Sequence, residues 1–197
     1  MTDATPTRGT VVGKRTLRRL LEYRAATTPD RPFVIFDDLA GGISRLTYAE
    51  FDTQANRAAH ALHALGIGRG DRVNLHLDNC IEFLALWFGA AKLGAVMMPT
   101  NTLASIDELA YLIDHSQARV IVTHPGHLGT AAELRRRCPS VAHVLACGPD
   151  AARADAPDLA GLLAAQPSGP HQSQLARPTM LRLCTPRAPP RGPKGYG

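Results

Sequence analysis

Long apolar runs are missing from this chain of 197 residues. No stretch approaches the ~18 consecutive apolar residues of a membrane-spanning helix. The opening MTDATPTRGT also lacks the apolar centre of a secretory signal. No membrane span and no export are expected, and a cytoplasmic location follows. Cysteine is scarce: Cys80, Cys138, Cys147 and Cys184 make up the whole set. They form no CxxC pair and have no histidine at metal-ligand spacing, so they read as free thiols in core or loop positions and no metal site is assigned. Acidic residues are absent from 177 to 197, where Arg177, Arg182, Arg187, Arg191 and Lys194 account for the whole net charge of +5. Residues 1–176 are therefore balanced. A basic surface for nucleic acid or anionic membrane is not expected of them.

What is present is the composition of a globular domain, 45% apolar and 20% charged, with enough length to bury one core. TLRRLLEYRAA (16–26) spaces Leu17, Leu20 and Leu21 as an amphipathic helix with Thr16 as its N-cap. Pro29 and Pro32 stop it. Phe33 to Phe36 reads as a strand, and 44–47 as its hairpin partner after the Gly41-Gly42 turn. Thr47 to Glu50 is a capping box, in which hydroxyl and carboxylate satisfy reciprocal backbone N–H groups. The helix behind it carries Phe51, Ala55, Ala58, Leu62 and Leu65 to a stop at Gly66.

Residues 72–77 then alternate as a strand, and Cys80 to Leu93 form a helix ended by Gly94. Ala95 to Met98 reads as a buried-type strand ended by Pro99. Ser105 to Glu108 is a second capping box, opening a helix to about His115. A strand at 120–122, a helix at 129–137 and a weak strand at 141–145 follow. The alternation predicts an α/β fold, a mostly parallel sheet with helices on both faces. Beyond 148 the text turns Ala-, Asp- and Pro-rich, with one short helix at 159–165, and seven prolines fall between Pro167 and Pro193. Such composition buries little apolar surface.

Single residues carry little chemistry by themselves. Gly66, Gly68 and Gly70 follow a helix and precede a strand, the reverse of the order a dinucleotide loop requires, and read as turn residues. His76, near Asp78, is either a base oriented by a carboxylate or a structural histidine; the structural reading is preferred. Cys80 at a helix start is a capping or core residue whose thiol the helix end can acidify. Asp107 and Glu108 are neighbours on a helix and point apart, so they make no acid/base pair.

Three strings in order, LTYAEFDTQANRAAHALHALGIGRGDRV (46–73), LHLDNCIEFLALWFGAAKLGAVMMPTN (75–101) and DELAYLIDHSQARVIVT (107–123), resemble the first subdomain of the adenylate-forming acyl-CoA ligase superfamily. The middle string is most similar to crotonobetaine/carnitine-CoA ligases and their fatty-acyl relatives. The resemblance implies a small-molecule carboxylic acid substrate that reacts with ATP, assisted by Mg2+, to give an acyl-adenylate, which coenzyme A converts to a thioester. It also implies a phosphate loop close to YTSGTTxRPKGV soon after residue 175. Such a loop is rich in Ser, Thr and Gly because its donors wrap phosphates.

In its place stands CTPRAPPRGPKGYG (184–197). Synonymous codons for this string exist that, read two bases later, encode YTSGTTARPKGV. The last two bases of each hidden codon are set by a visible residue, so at most four amino acids are open at each position, yet all of the family's residues are allowed in succession. A frameshift at or before Leu183 is the expectation. The organisation is then a partial N-terminal ligase domain at 1–148, a linker-like segment at 149–183 and an aberrant tail at 184–197. Pro193-Lys194-Gly195 matches the loop's own Pro-Lys-Gly, but no cradle precedes it. No catalytic, cofactor-binding or metal-binding residue is assigned within 1–197, and the chain alone is expected to be inactive. A non-catalytic α/β binding module and a subunit of a split ligase are the alternatives.

Overall fold

The computed structural model describes residues 16–39 and 41–171. The expected aberrant tail, Lys194, Cys184 and the last part of the linker-like segment lie outside the described residues. Helix α1 (Leu17–Thr27) is capped by Thr16, whose hydroxyl accepts from the Arg19 N–H. Strands β1 (Pro32–Asp37) and β2 (Ile43–Thr47) pair antiparallel as the expected hairpin. The first capping box is complete. Thr47 N–H donates to Glu50 Oε2 at 2.8 Å and Glu50 N–H donates to Thr47 Oγ1 at 3.3 Å, opening α2 (Tyr48–Ala64). That exchange holds the exposed Glu50 carboxyl below its ordinary pKa, chiefly through the Thr47 backbone N–H.

Four parallel strands make the central sheet: β3 (Arg72–His76), β4 (Val96–Pro99), β5 (Ala118–Thr123) and β6 (His143–Ala146), in the order β4-β3-β5-β6. Helices α3 (Ile81–Leu93), α4 (Ile106–Ser116) and α5 (Leu128–Arg137) connect them. Both faces are covered, as the alternation of elements requires. On one face Ala58, Leu62, Leu86 and Ala90 of α2 and α3 pack with Val73, Leu75, Val120 and Val122; on the other, Leu109, Ile113, Ala131 and Leu134 of α4 and α5 pack with Ile121. A third cluster seats the hairpin: Phe51 lies between Phe33 and Phe88, with ring centroids 5.0 and 5.2 Å away and both contacts edge-on. Edge-on packing sets the positive rim of one ring against the negative face of the next.

Two local expectations need correction. β4 is an edge strand and not a buried one: its Val96 is 43% exposed, because nothing among the described residues pairs with its outer side. The second capping box is half made. Ser105 Oγ accepts from the Glu108 N–H at 3.3 Å, while the reciprocal glutamate arm is not formed. Of the segment expected to be linker-like, the described part 149–171 contains α6 (Leu159–Ala164), which is capped by Asp158 and buries Leu159 against the α2 and α3 face.

Candidate functional site

β3 leads through α3 to β4 on one side of the sheet, and the next strand, β5, returns to the other side of β3. Between β3 and β5 the connections diverge, and the carboxyl ends of the strands at such a switch point are the usual place for ligands in open α/β sheets. The chain sets polar side chains there: His76 ends β3, Thr123 ends β5, Thr100 follows β4, and Asp78, Thr102, His124 and His127 come from the loops.

Hydrogen bonds tie these groups to one another. His76 is 2% exposed, with Nδ1 3.1 Å from Thr100 Oγ1. Asn74 Nδ2 donates to the same Thr100 oxygen and to Met98 O, and the Thr123 hydroxyl donates to His76 O at 3.0 Å. Burial, followed by the nearby His127, pushes the His76 pKa below its ordinary value, and Asp78 offsets this in part. Its ring meets His127 edge-on at 5.1 Å.

His124 has a defined tautomer. Its Nε2 accepts from the Asp78 N–H at 3.3 Å, so Nδ1 carries the proton and donates to Cys147 O at 3.0 Å. The ring thereby bridges the loop after β3 to the end of β6.

The possible His76–Asp78 acid/base pair is not assembled. The Asp78 carboxylate accepts from the Thr102 hydroxyl at 2.9 Å and does not orient His76. His76 is instead buried, with Thr100 as its side-chain hydrogen-bond partner. Gly66 and Gly70 are turn residues with φ of +76° and +83°. Asp107 pairs with Arg137 at 2.7 Å, away from Glu108 in the first turn of α4. A cleft of about 400 Å³ beside α5, lined by residues that include Arg135, Arg136, Val144 and Asp155, includes none of the polar residues at the strand ends.

Cys80 is the N-cap of α3, and its Sγ accepts from the Phe83 N–H at 3.4 Å. What the sequence did not indicate is its neighbour. Cys147, 67 positions on, and Glu82 bring Sγ and a carboxylate oxygen to within 4.8 Å of the Cys80 sulfur and of each other. No spacing rule connects positions so far apart; they meet because β6 ends beside the start of α3.

Comparison with known proteins bears on what such a scaffold serves. The family model described as AMP-binding enzyme matches residues 21–184. The crotonobetaine/carnitine–CoA ligase of Proteus mirabilis is 42% identical over 113 residues, 57% of this chain and 22% of the relative; that of Salmonella paratyphi A is 38% identical over 126 residues, 64% of this chain and 24% of the relative. The chain thus spans about a quarter or less of the length of these curated relatives. Among solved structures, the N-terminal domain of FACL13 from Mycobacterium tuberculosis superposes with a TM-score of 0.70 at 29% identity, over 81% of this chain and 38% of that one. MbtA from Mycobacterium smegmatis does so with 0.69 at 35%, over 81% and 29%.

Proposed function

The chain belongs to the AMP-binding enzyme family, and from that membership we propose that it is the N-terminal portion of an ATP-dependent acyl-CoA ligase. The full enzyme joins a small carboxylic acid to AMP with release of pyrophosphate, then passes the acyl group to coenzyme A. The observation that carries this reading is the match of residues 21–184 to the family, together with the 42% identity over 113 residues to a crotonobetaine/carnitine–CoA ligase. Carnitine-like betaines and medium or long fatty acids are the first acids to test.

Adenylation needs a phosphate cradle, with donors placed where charge develops, and an oxygen-lined place for Mg2+. Among the described residues these are not assembled. The loop from β3 into α3, Leu77 to Cys80, contains no glycine, and the helix end behind it is occupied by the Cys80 side chain. The metal-ligand cluster found there is two thiols and a carboxylate, a soft set that does not suit Mg2+. The described scaffold therefore does not fit ATP or Mg2+ by itself. The groups that do this chemistry are assigned to the hidden-frame loop and to sequence beyond it. The family match stops at Cys184, the first residue of the string that conceals YTSGTTARPKGV, which supports the frameshift reading.

The nucleotide sequence around codon 183 is the test. The alternative frame should continue with ligase sequence for several hundred residues; an early stop in that frame would count against the proposal. Restoring the frame should yield acid-dependent ATP–pyrophosphate exchange and coenzyme A-dependent AMP release, neither of which the 197-residue chain should show. AMP release only with amino acids, or without coenzyme A, would keep the family and remove the acyl-CoA ligase assignment.

A further inference from the structure

The end of β6 and the start of α3 place two sulfurs and a carboxylate around one point. Cys147 is buried within the apolar cluster under α2 and α3, whereas Cys80 and Glu82 are half-buried at its rim, so the group opens to solvent on one side. From this arrangement we propose that Cys80, Glu82 and Cys147 form a binding site for a soft divalent cation of the zinc class, with three protein ligands and a fourth position left to water. The proposal does not depend on the ligase reading.

The geometry is close to what such an ion requires. Metal–sulfur bonds of about 2.3 Å and tetrahedral angles separate neighbouring ligand atoms by roughly 3.7 Å. The three ligand atoms already lie within 4.8 Å of one another, so closing on an ion needs shifts of about 1 Å or less, within side-chain rotation. Thiolates select zinc-class ions over Mg2+ or Ca2+, and the carboxylate raises the negative charge of the site.

Each thiol must give up its proton to bind the ion, and the two sulfurs already lie within 4.8 Å of one another. Each bound ion releases up to two protons, so affinity falls as the pH drops.

The cluster has a second consequence for the fold. An ion there would tether the N-terminus of α3 to the end of β6 across β5, next to His124, which already bridges the same loops through Asp78 and Cys147. Metal binding should therefore stabilise the carboxyl edge of the sheet.

The test is titration of the reduced 197-residue protein with Zn2+ against a chromophoric chelator, and with Cd2+ followed by thiolate-to-cadmium charge-transfer absorption. One tight equivalent is expected. Cys80→Ser keeps a good helix cap, so its fold is retained, and it should weaken Zn2+ at least about 10-fold, the scale seen when even outer partners of a metal are removed. Cys147→Ser should do the same, and Glu82→Gln should weaken binding while leaving the cadmium–thiolate band in place. Cys138→Ala, on the opposite face of the sheet, should change nothing. An affinity unaltered by Cys80→Ser, or a reduced protein that takes up neither ion, overturns the site.

Discussion

Lys92 Nζ lies 2.8 Å from Asp52 Oδ1, a buried ion pair joining α3 to α2, with Glu22 of α1 3.5 Å away on its other side. Lys92 is 1% exposed, but Asp52 retains some contact with solvent. The two ends therefore tolerate loss differently. Asp52→Ala takes the nearer of two carboxylates from a buried cation and should be the costlier change, whereas Lys92→Met leaves carboxylates that water can reach and should cost less. Urea denaturation of both variants checks this; equal costs would mean that the pair is not governed by desolvation of the lysine.

Gly89→Ala should destabilise the protein even though alanine is the better helix former by about 1 kcal/mol. A Cβ at Gly89 would lie 2.7 Å from Ala58 Cβ and 2.8 Å from the Ala59 backbone nitrogen. The obstruction is helix backbone and cannot rotate away, so α2 and α3 must separate, at an overpacking cost of about 1–3 kcal/mol. A melting temperature at or above that of the parent protein would contradict the close crossing.

Acid should loosen the end of the described chain before it unfolds the sheet. Burial, followed by His60 and His63 of α2, lowers the His171 pKa, and Arg18 of α1 adds to the same effect. The segment is held to α2 by Asn56 Nδ2 donating to Ser168 O at 3.0 Å and by His60 Nε2 at 3.1 Å from Gly169 O. A histidine whose folded pKa lies below its unfolded value of about 6.5 contributes fully above that pH and loses its contribution as the pH falls through the folded value. Limited proteolysis near residues 166–171 should therefore accelerate below pH 6.5, and His171→Asn should flatten that dependence. His76, lowered by burial, should add a loss of global stability over the same window.

The two helix caps should differ in worth. Replacing Thr47 and Glu50 together by alanine removes a reciprocal pair of bonds, because the Thr47 N–H loses its carboxylate acceptor as the Glu50 N–H loses the hydroxyl, whereas Ser105→Ala removes one. The first should cost about 1 kcal/mol and the second less. Chemical denaturation resolves the order, and a larger loss at Ser105 would contradict it.

The sequence by itself determined the elements. Thr16, Thr47 and Ser105 started helices where their hydroxyls meet backbone N–H groups a few residues on, and Gly66 and Gly94, both at positive φ, follow the ends of α2 and α3. These signals are local, acting within one turn of chain, and so can be read in order. The alternation of those elements was enough for a parallel sheet covered on both faces. Tertiary structure decided the rest. The exposed edge at Val96, the pairing of Lys92 with Asp52, the separation of Asp78 from His76, and the meeting of Cys80 with Cys147 all depend on which strand lies beside which. An apolar run reads the same in a central strand as at an edge, and a cysteine carries no mark of a partner 67 residues away; the strand order β4-β3-β5-β6 supplies both.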